Sequence, residues 1–177
     1  MSEKVSTFVN VSAGKVRYLF FLVTWNDFAS PIREQLEKQL DPFGEALGEL
    51  GKVVQGYSNS TFNEVVAKDW DLEQRAQLEN DPDPFLLVID QDFATFSPSE
   101  NRWGLIRLSS FHDKPDAIYR LLAALVRKVR QNEDLFLYLR TVALKKKASR
   151  FTKYLEIKPN IFGVTLDISS ILDDLLA

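Results

Sequence analysis

Five consecutive apolar residues, Phe85-Leu86-Leu87-Val88-Ile89, run straight into Asp90-Gln91-Asp92. A run of this length is too short for a buried helix and is rich in strand-forming side chains, so it reads as a strand covered on both faces. Val16 to Trp25, V-R-Y-L-F-F-L-V-T-W, repeats the signal and is almost wholly apolar after Arg17. Strands buried on both faces belong to sheets with helices packed on either side, which predicts an α/β chain. Trp103 to Leu108 is the next strand, and the mixture of apolar and basic residues in Leu105 to Leu108 predicts a half-covered one. Residues 82 to 110 are thus the expected centre of the sheet.

The remaining elements follow from start and stop signals. Residues 1 to 14 are polar and β-branched and read as a tail or an edge strand. Ser30, Pro31 and Glu34 form a capping box with proline at the first helical position. Ile32, Leu36, Leu40, Phe43 and Leu47 then keep helical spacing, Pro42 is placed to kink or divide that helix, and Gly48 and Gly51 mark its end. Lys52 to Tyr57 reads as a short strand. Phe62 to Leu78 reads as one helix, or as two where Trp70 and Leu72 break the period. Lys114-Pro115-Asp116 opens a helix with Ile118, Leu121, Leu122, Leu125 and Val129, and Asn132-Glu133-Asp134 caps another through Leu139, Val142 and Ala143. Three successive lysines, Lys145 to Lys147, cannot all face solvent on a packed helix, so that helix is expected to end at Leu144. Ile161 to Leu166 reads as a strand interrupted at Gly163, and Ser169 to Leu176 as a short amphipathic helix.

At 177 residues and 45% hydrophobic, the chain suits a single domain over 1–177, with a core at 16–131 and a C-terminal helical extension at 132–177. There is no cysteine, which excludes disulfides, thiolate metal sites and thiol redox chemistry; a single histidine, His112, excludes a multi-histidine centre. No cofactor or metal is expected. A basic, apolar leader is absent from the first residues and no apolar run approaches the ~20 residues of a membrane span, so a cytoplasmic protein without a membrane partner is expected. Net charge is −3, but it is unevenly spread. Residues 64–116 hold 12 acidic against 5 basic residues, and residues 117–158 hold 11 basic against 3 acidic. Either these are solvated faces of neighbouring elements, or the basic region is a contact surface.

From Val16 to Gln131 the order strand, helix, strand, helix, strand, strand, helix resembles the thioredoxin-like fold. Pro84, directly before the third strand, stands where that family keeps a cis-proline, and Trp25 followed by the Ser30-Pro31 helix start is similar to its active-site turn. The resemblance implies a three-layer sandwich around a four- to five-stranded mixed sheet, here with extra C-terminal helices. Where the family carries two cysteines, this chain has Asn26-Asp27-Phe28-Ala29-Ser30-Pro31, so redox function is not expected.

Asp90-Gln91-Asp92 after an apolar strand also resembles the opening motif of haloacid-dehalogenase-type phosphohydrolases. That resemblance implies Asp90 as nucleophile, Asp92 as acid/base and a bridging Mg²⁺, with Glu100, Arg102 and His112 at hand. The chain departs from the motif in Phe93-Ala94-Thr95, in its mid-chain position, and in lacking a downstream lysine and acidic motif. The competing reading has both aspartates capping the strand end and its turn.

The basic constellation comprises Arg127, Lys128, Arg130, Arg140, Lys145, Lys146, Lys147, Arg150 and Lys153, with Phe136, Tyr138, Phe151 and Tyr154 among them. Such residues can neutralise phosphates and stack bases, so helices in 117–158 can bind nucleic acid, although a pI of about 5.3 is unlike that of most dedicated binders. The expected function is a non-catalytic protein-interaction or regulatory module that meets an acidic protein partner or another copy of itself. Nucleic-acid binding and a Mg²⁺-dependent phosphohydrolase are the alternatives.

Overall fold

The computed structural model describes residues 2–24, 31–56, 59–80, 84–108, 116–150 and 163–167, with the side chains of 31–33, 116, 144–150 and 164–167 outside that description. The strands are β1 (Ser2–Val5), β2 (Tyr18–Val23), β3 (Gly51–Gly56), β4 (Phe85–Ile89), β5 (Trp103–Arg107) and β6 (Gly163–Asp167). The helices are α1 (Pro31–Leu47), α2 (Asn59–Val66), α3 (Leu72–Asn80), α4 (Asp116–Arg130) and α5 (Leu135–Arg150). The strands form one open, mixed sheet in the order β1-β3-β2-β4-β5-β6. β3 lies parallel to both β1 and β2, β4 is antiparallel to β2 and β5, and β6 runs parallel to β5.

Every residue of β2 and β4 is buried, as their unbroken apolar runs require. Strand alternation divides these side chains between two clusters. Tyr18, Phe20, Leu22, Leu86, Val88 and Ile106 pack with α1, α4 and α5. Leu19, Phe21, Val23, Leu87, Ile89 and Leu105 pack with α2, Trp70, Phe93 and Phe8. β5 departs from the half-covered strand expected of it: Leu105 and Ile106 are both buried, one in each cluster. Its one basic member, Arg107, is accommodated because its guanidinium donates to the Gln77 carbonyl of α3 at 3.0 Å.

Pro42 does not divide α1, whose buried residues Leu36, Leu40, Phe43 and Leu47 keep one face from end to end. Helical residues between 59 and 80 form two helices, with buried Trp70 in the connection donating its indole N–H to the Val65 carbonyl at 2.6 Å. Asn132, in the left-handed region at φ 58°, turns the chain between α4 and α5. Asp134 then caps α5, its Oδ1 accepting from the amides of Phe136 and Leu137 at 3.0 and 3.1 Å. α5 can approach β5 because residue 104 is glycine: a β-carbon there would lie 2.5 Å from Cδ1 of Leu139.

The expectation that α5 ends at Leu144 is corrected, since its backbone stays helical to Arg150 and takes Lys145, Lys146 and Lys147 inside it. The stretch holds no glycine or proline and is made of good helix formers, so nothing stops it at the lysines. Of the two alternatives for the first residues, the edge strand holds from Ser2 onward. β1 pairs with β3, and Phe8 and Val11 are buried. Three carboxylates hold this segment: Asp41 accepts from Ser2, Glu64 from Thr7 and Phe8, and Asp92 from Ser12 and Ala13. No cis peptide bond occurs among the described residues; the bond before Pro84 begins at Asp83, outside them, as do Trp25, Ser30 and Ser169 to Leu176. No helix among the described residues is long and apolar enough to cross a membrane.

Candidate functional site

Asp90 and Asp92 leave β4 together but serve different contacts. Asp90 Oδ2 accepts from Nη2 of Arg102 at 2.6 Å. Asp92 Oδ1 accepts from the Ser12 hydroxyl at 2.9 Å and the Ala13 amide at 2.6 Å, which fastens the loop before β2. Between them, Gln91 donates to Asn101 at 2.5 Å. No group of three or more His, Asp or Glu among the described residues is arranged to hold a metal ion. Asp90 is thus tied to β5 and Asp92 to the loop before β2, and His112 lies outside the described residues.

Arg102 is the centre of this end of the sheet. Besides Asp90 it donates through Nη1 to Asp134 at 2.7 Å, and its guanidinium carbon stands 4.8 Å from the centre of the Phe136 ring. Burial works against the charged guanidinium, but the hydrogen bonds and charges of Asp90 and Asp134 outweigh it and raise the Arg102 pKa. Partial burial likewise pushes the Asp134 carboxyl up, while the Leu137 and Phe136 amides and Arg102 bring it below its ordinary 3.8. Tyr18 adds to the joint by accepting the Leu135 amide at its hydroxyl, 3.1 Å. The arrangement joins β4, β5 and the start of α5.

A second polar knot holds the loop before β5. Ser97 donates to Asp69 Oδ2 at 2.7 Å and Ser99 donates to the same oxygen; these hydroxyls, Ser99 foremost, hold the Asp69 carboxyl below 3.8. The Asp41 carboxyl is lowered by the Ser2 amide and hydroxyl. Carboxylates depressed in the fold contribute stability that is present above their unfolded pKa and lost as pH falls through the folded value. The urea midpoint should therefore hold near neutrality and fall below about pH 4, and Asp134→Asn should flatten that fall. Equal midpoints at neutral pH and at about pH 3 would contradict these pairings.

The basic constellation divides in two. Lys128 pairs with Glu133 at 3.0 Å and lies over the Tyr138 ring, and Arg130 donates to the Ala46 carbonyl at 2.8 Å, capping the end of α1. Arg127 and Arg140 are exposed instead. Arg120, absent from the sequence-based set, is also exposed and lies two turns before Arg127 on the same side of α4. That seven-residue spacing was the signal that could have found it. Lys145, Lys146, Lys147 and Arg150 occupy the last two turns of α5, and their side chains, like Lys153, Phe151 and Tyr154 entirely, lie outside the described residues. Phe136 is buried in the core, and Tyr138 is partly buried against it with Lys128 over its ring.

On the opposite face of the sheet, an open groove of about 610 Å³ runs between α2 and α3. Phe62 and Val66 line it, and Arg75 and Glu79 at its rim pair with each other at 3.0 Å. Comparison with family models, with curated proteins and with solved structures gives no match.

Proposed function

We propose that the chain is a non-catalytic interaction module, thioredoxin-like in layout, that binds an acidic protein surface through the basic outer side of α4 and α5. The observation that carries this reading is the contrast among its cations. Arg102, Lys128 and Arg130 are used inside the molecule, whereas Arg120 and Arg127 stand on the outer side of α4 with no acidic residue between them in sequence. Exposed arginines of this kind contribute little to the fold and much to the choice and speed of association.

The layout is supported by the order strand, helix, strand, two helices, strand, strand, helix from Tyr18 to Arg130, and by side-chain clusters on both faces of the sheet, as a three-layer sandwich requires. Without cysteine this layout has no thiol chemistry to offer, which leaves surface recognition. The test is titration with poly-glutamate and, in parallel, with a single-stranded oligonucleotide. Salt-dependent binding of poly-glutamate should weaken about tenfold or more in Arg120→Glu/Arg127→Glu/Arg140→Glu, with the melting temperature little changed. Tight oligonucleotide binding with a steep salt slope, and none of poly-glutamate, would instead favour the nucleic-acid reading.

A further inference from the structure

Two helices packed side by side on one face of the sheet carry opposite charge on their outer lines. In α1 the buried residues Leu36, Leu40, Phe43 and Leu47 define the inner line, and Glu34 and Glu45 lie opposite to it, eleven residues and therefore only about 20° apart around the helix. In α4 the inner line is Ile118, Leu122, Leu125 and Val129, and Arg120 and Arg127 lie opposite, again about 20° apart. Lys38 and Asp41 are also exposed on α1 and carry opposite charges, Asp41 accepting from Ser2 of β1. β2 and β5 run in the same direction, since each is antiparallel to β4, so the helices that follow them return together. The Arg130 side chain reaches the Ala46 carbonyl at 2.8 Å, which brings their C-terminal ends close together. Counting back from that contact places Arg120 within about one helical turn of the level of Glu34, and Arg127 within about one turn of that of Glu45.

We infer that two copies of the chain associate through this face, with α1 of each lying on α4 of the other. A two-fold axis along the seam between the helices exchanges α1 and α4 while keeping their direction. It brings Glu34 opposite Arg120 and Glu45 opposite Arg127, and repeats both contacts on the other side of the axis. The pattern is self-complementary, which a closed dimer demands and an arbitrary acidic partner does not. Ala123, exposed between the two arginines, leaves room for the helices to approach. This inference rests on the reading of the chain as an interaction module and names its partner as a second copy. The face is rich in charge and poor in exposed apolar surface, so the dimer should be weak and sensitive to salt.

Sedimentation equilibrium across protein concentration, at low and at high salt, tests this with three variants. Glu34→Lys/Glu45→Lys makes both helices basic, Arg120→Glu/Arg127→Glu makes both acidic, and the four-fold variant exchanges the signs while keeping the net charge of −3. Each two-fold variant should dimerise at least about tenfold more weakly than the wild type, and the four-fold variant should recover the loss. Circular dichroism and melting show whether each variant is folded, and the four-fold variant decides the matter if one of the others is not. A dimer unchanged by the two-fold variants, or not recovered in the four-fold one, overturns the α1-on-α4 arrangement. A wild type that stays monomeric yet binds poly-glutamate overturns self-pairing and leaves the interaction module standing. A chain that does neither overturns both.

Discussion

Replacing Phe8 by alanine should lower the unfolding free energy by about 3 to 5 kcal/mol, the range for an aromatic ring removed from a packed core. Phe8 is fully buried, with its ring centroid 4.8 Å from that of Phe21 and 5.4 Å from that of Phe93, both edge-on. It thus connects β2 with the turn after β4. Its amide, donated to Glu64 at 2.6 Å, fixes the backbone so that the loop cannot follow the cavity inward. Urea unfolding of Phe8→Ala beside Val9→Ala makes the comparison, because Val9 is 50% exposed and should stay within about 0.5 kcal/mol of wild type. Equal, small losses in both variants would mean that residues 1–14 are a tail after all.

That segment also shows where sequence reading stopped. β2 and β4 were legible because an unbroken apolar run admits few alternatives, and the end of α4 and start of α5 were legible because Asn132 and Asp134 are ordinary turn and cap residues. Phe8 gave no signal: a lone aromatic among serine, threonine and asparagine has no period, and the carboxylates that hold its loop come from positions 41, 64 and 92. β5 was misjudged for a related reason, since Arg107 looks like solvent exposure until the Gln77 carbonyl is seen to receive it.

The candidate site was legible only as residue types. Asp90 and Asp92 look like a pair in sequence, but Asp90 turns to Arg102 and Asp92 to the loop at Ser12. Among the basic residues, sequence could not separate Lys128 and Arg130, which are engaged within the chain, from Arg127, because their partners Glu133 and Ala46 are decided by packing. Composition counts charges, whereas the fold decides which of them remain available.

The other large effect is expected at Gly163, the first residue of β6, which pairs in register with Trp103. A β-carbon at 163 would fall well inside van der Waals contact with Cε2, Cδ2 and Nε1 of the indole. At Gly104 the obstructing atom is the end of a leucine, which can turn aside. At Gly163 it is a rigid ring, packed edge-on with Trp70 at 4.9 Å and held through its N–H by the Pro98 carbonyl at 3.1 Å. Either the ring leaves its slot or β6 leaves β5, and both cost packing in the cluster beneath. Gly163→Ala should therefore destabilise by about 1 to 3 kcal/mol, the usual range for an overfilled core, and nearer the upper end because nothing nearby yields. The near-UV circular dichroism of the Trp70–Trp103 pair should change with it. Trp103→Phe in the same chain should return part of the loss, since a smaller ring admits the methyl group, and the double-mutant cycle should give a coupling of about 0.5 to 3 kcal/mol. Full additivity, with an unchanged aromatic signal in Gly163→Ala, would show that β6 does not meet β5 in this register.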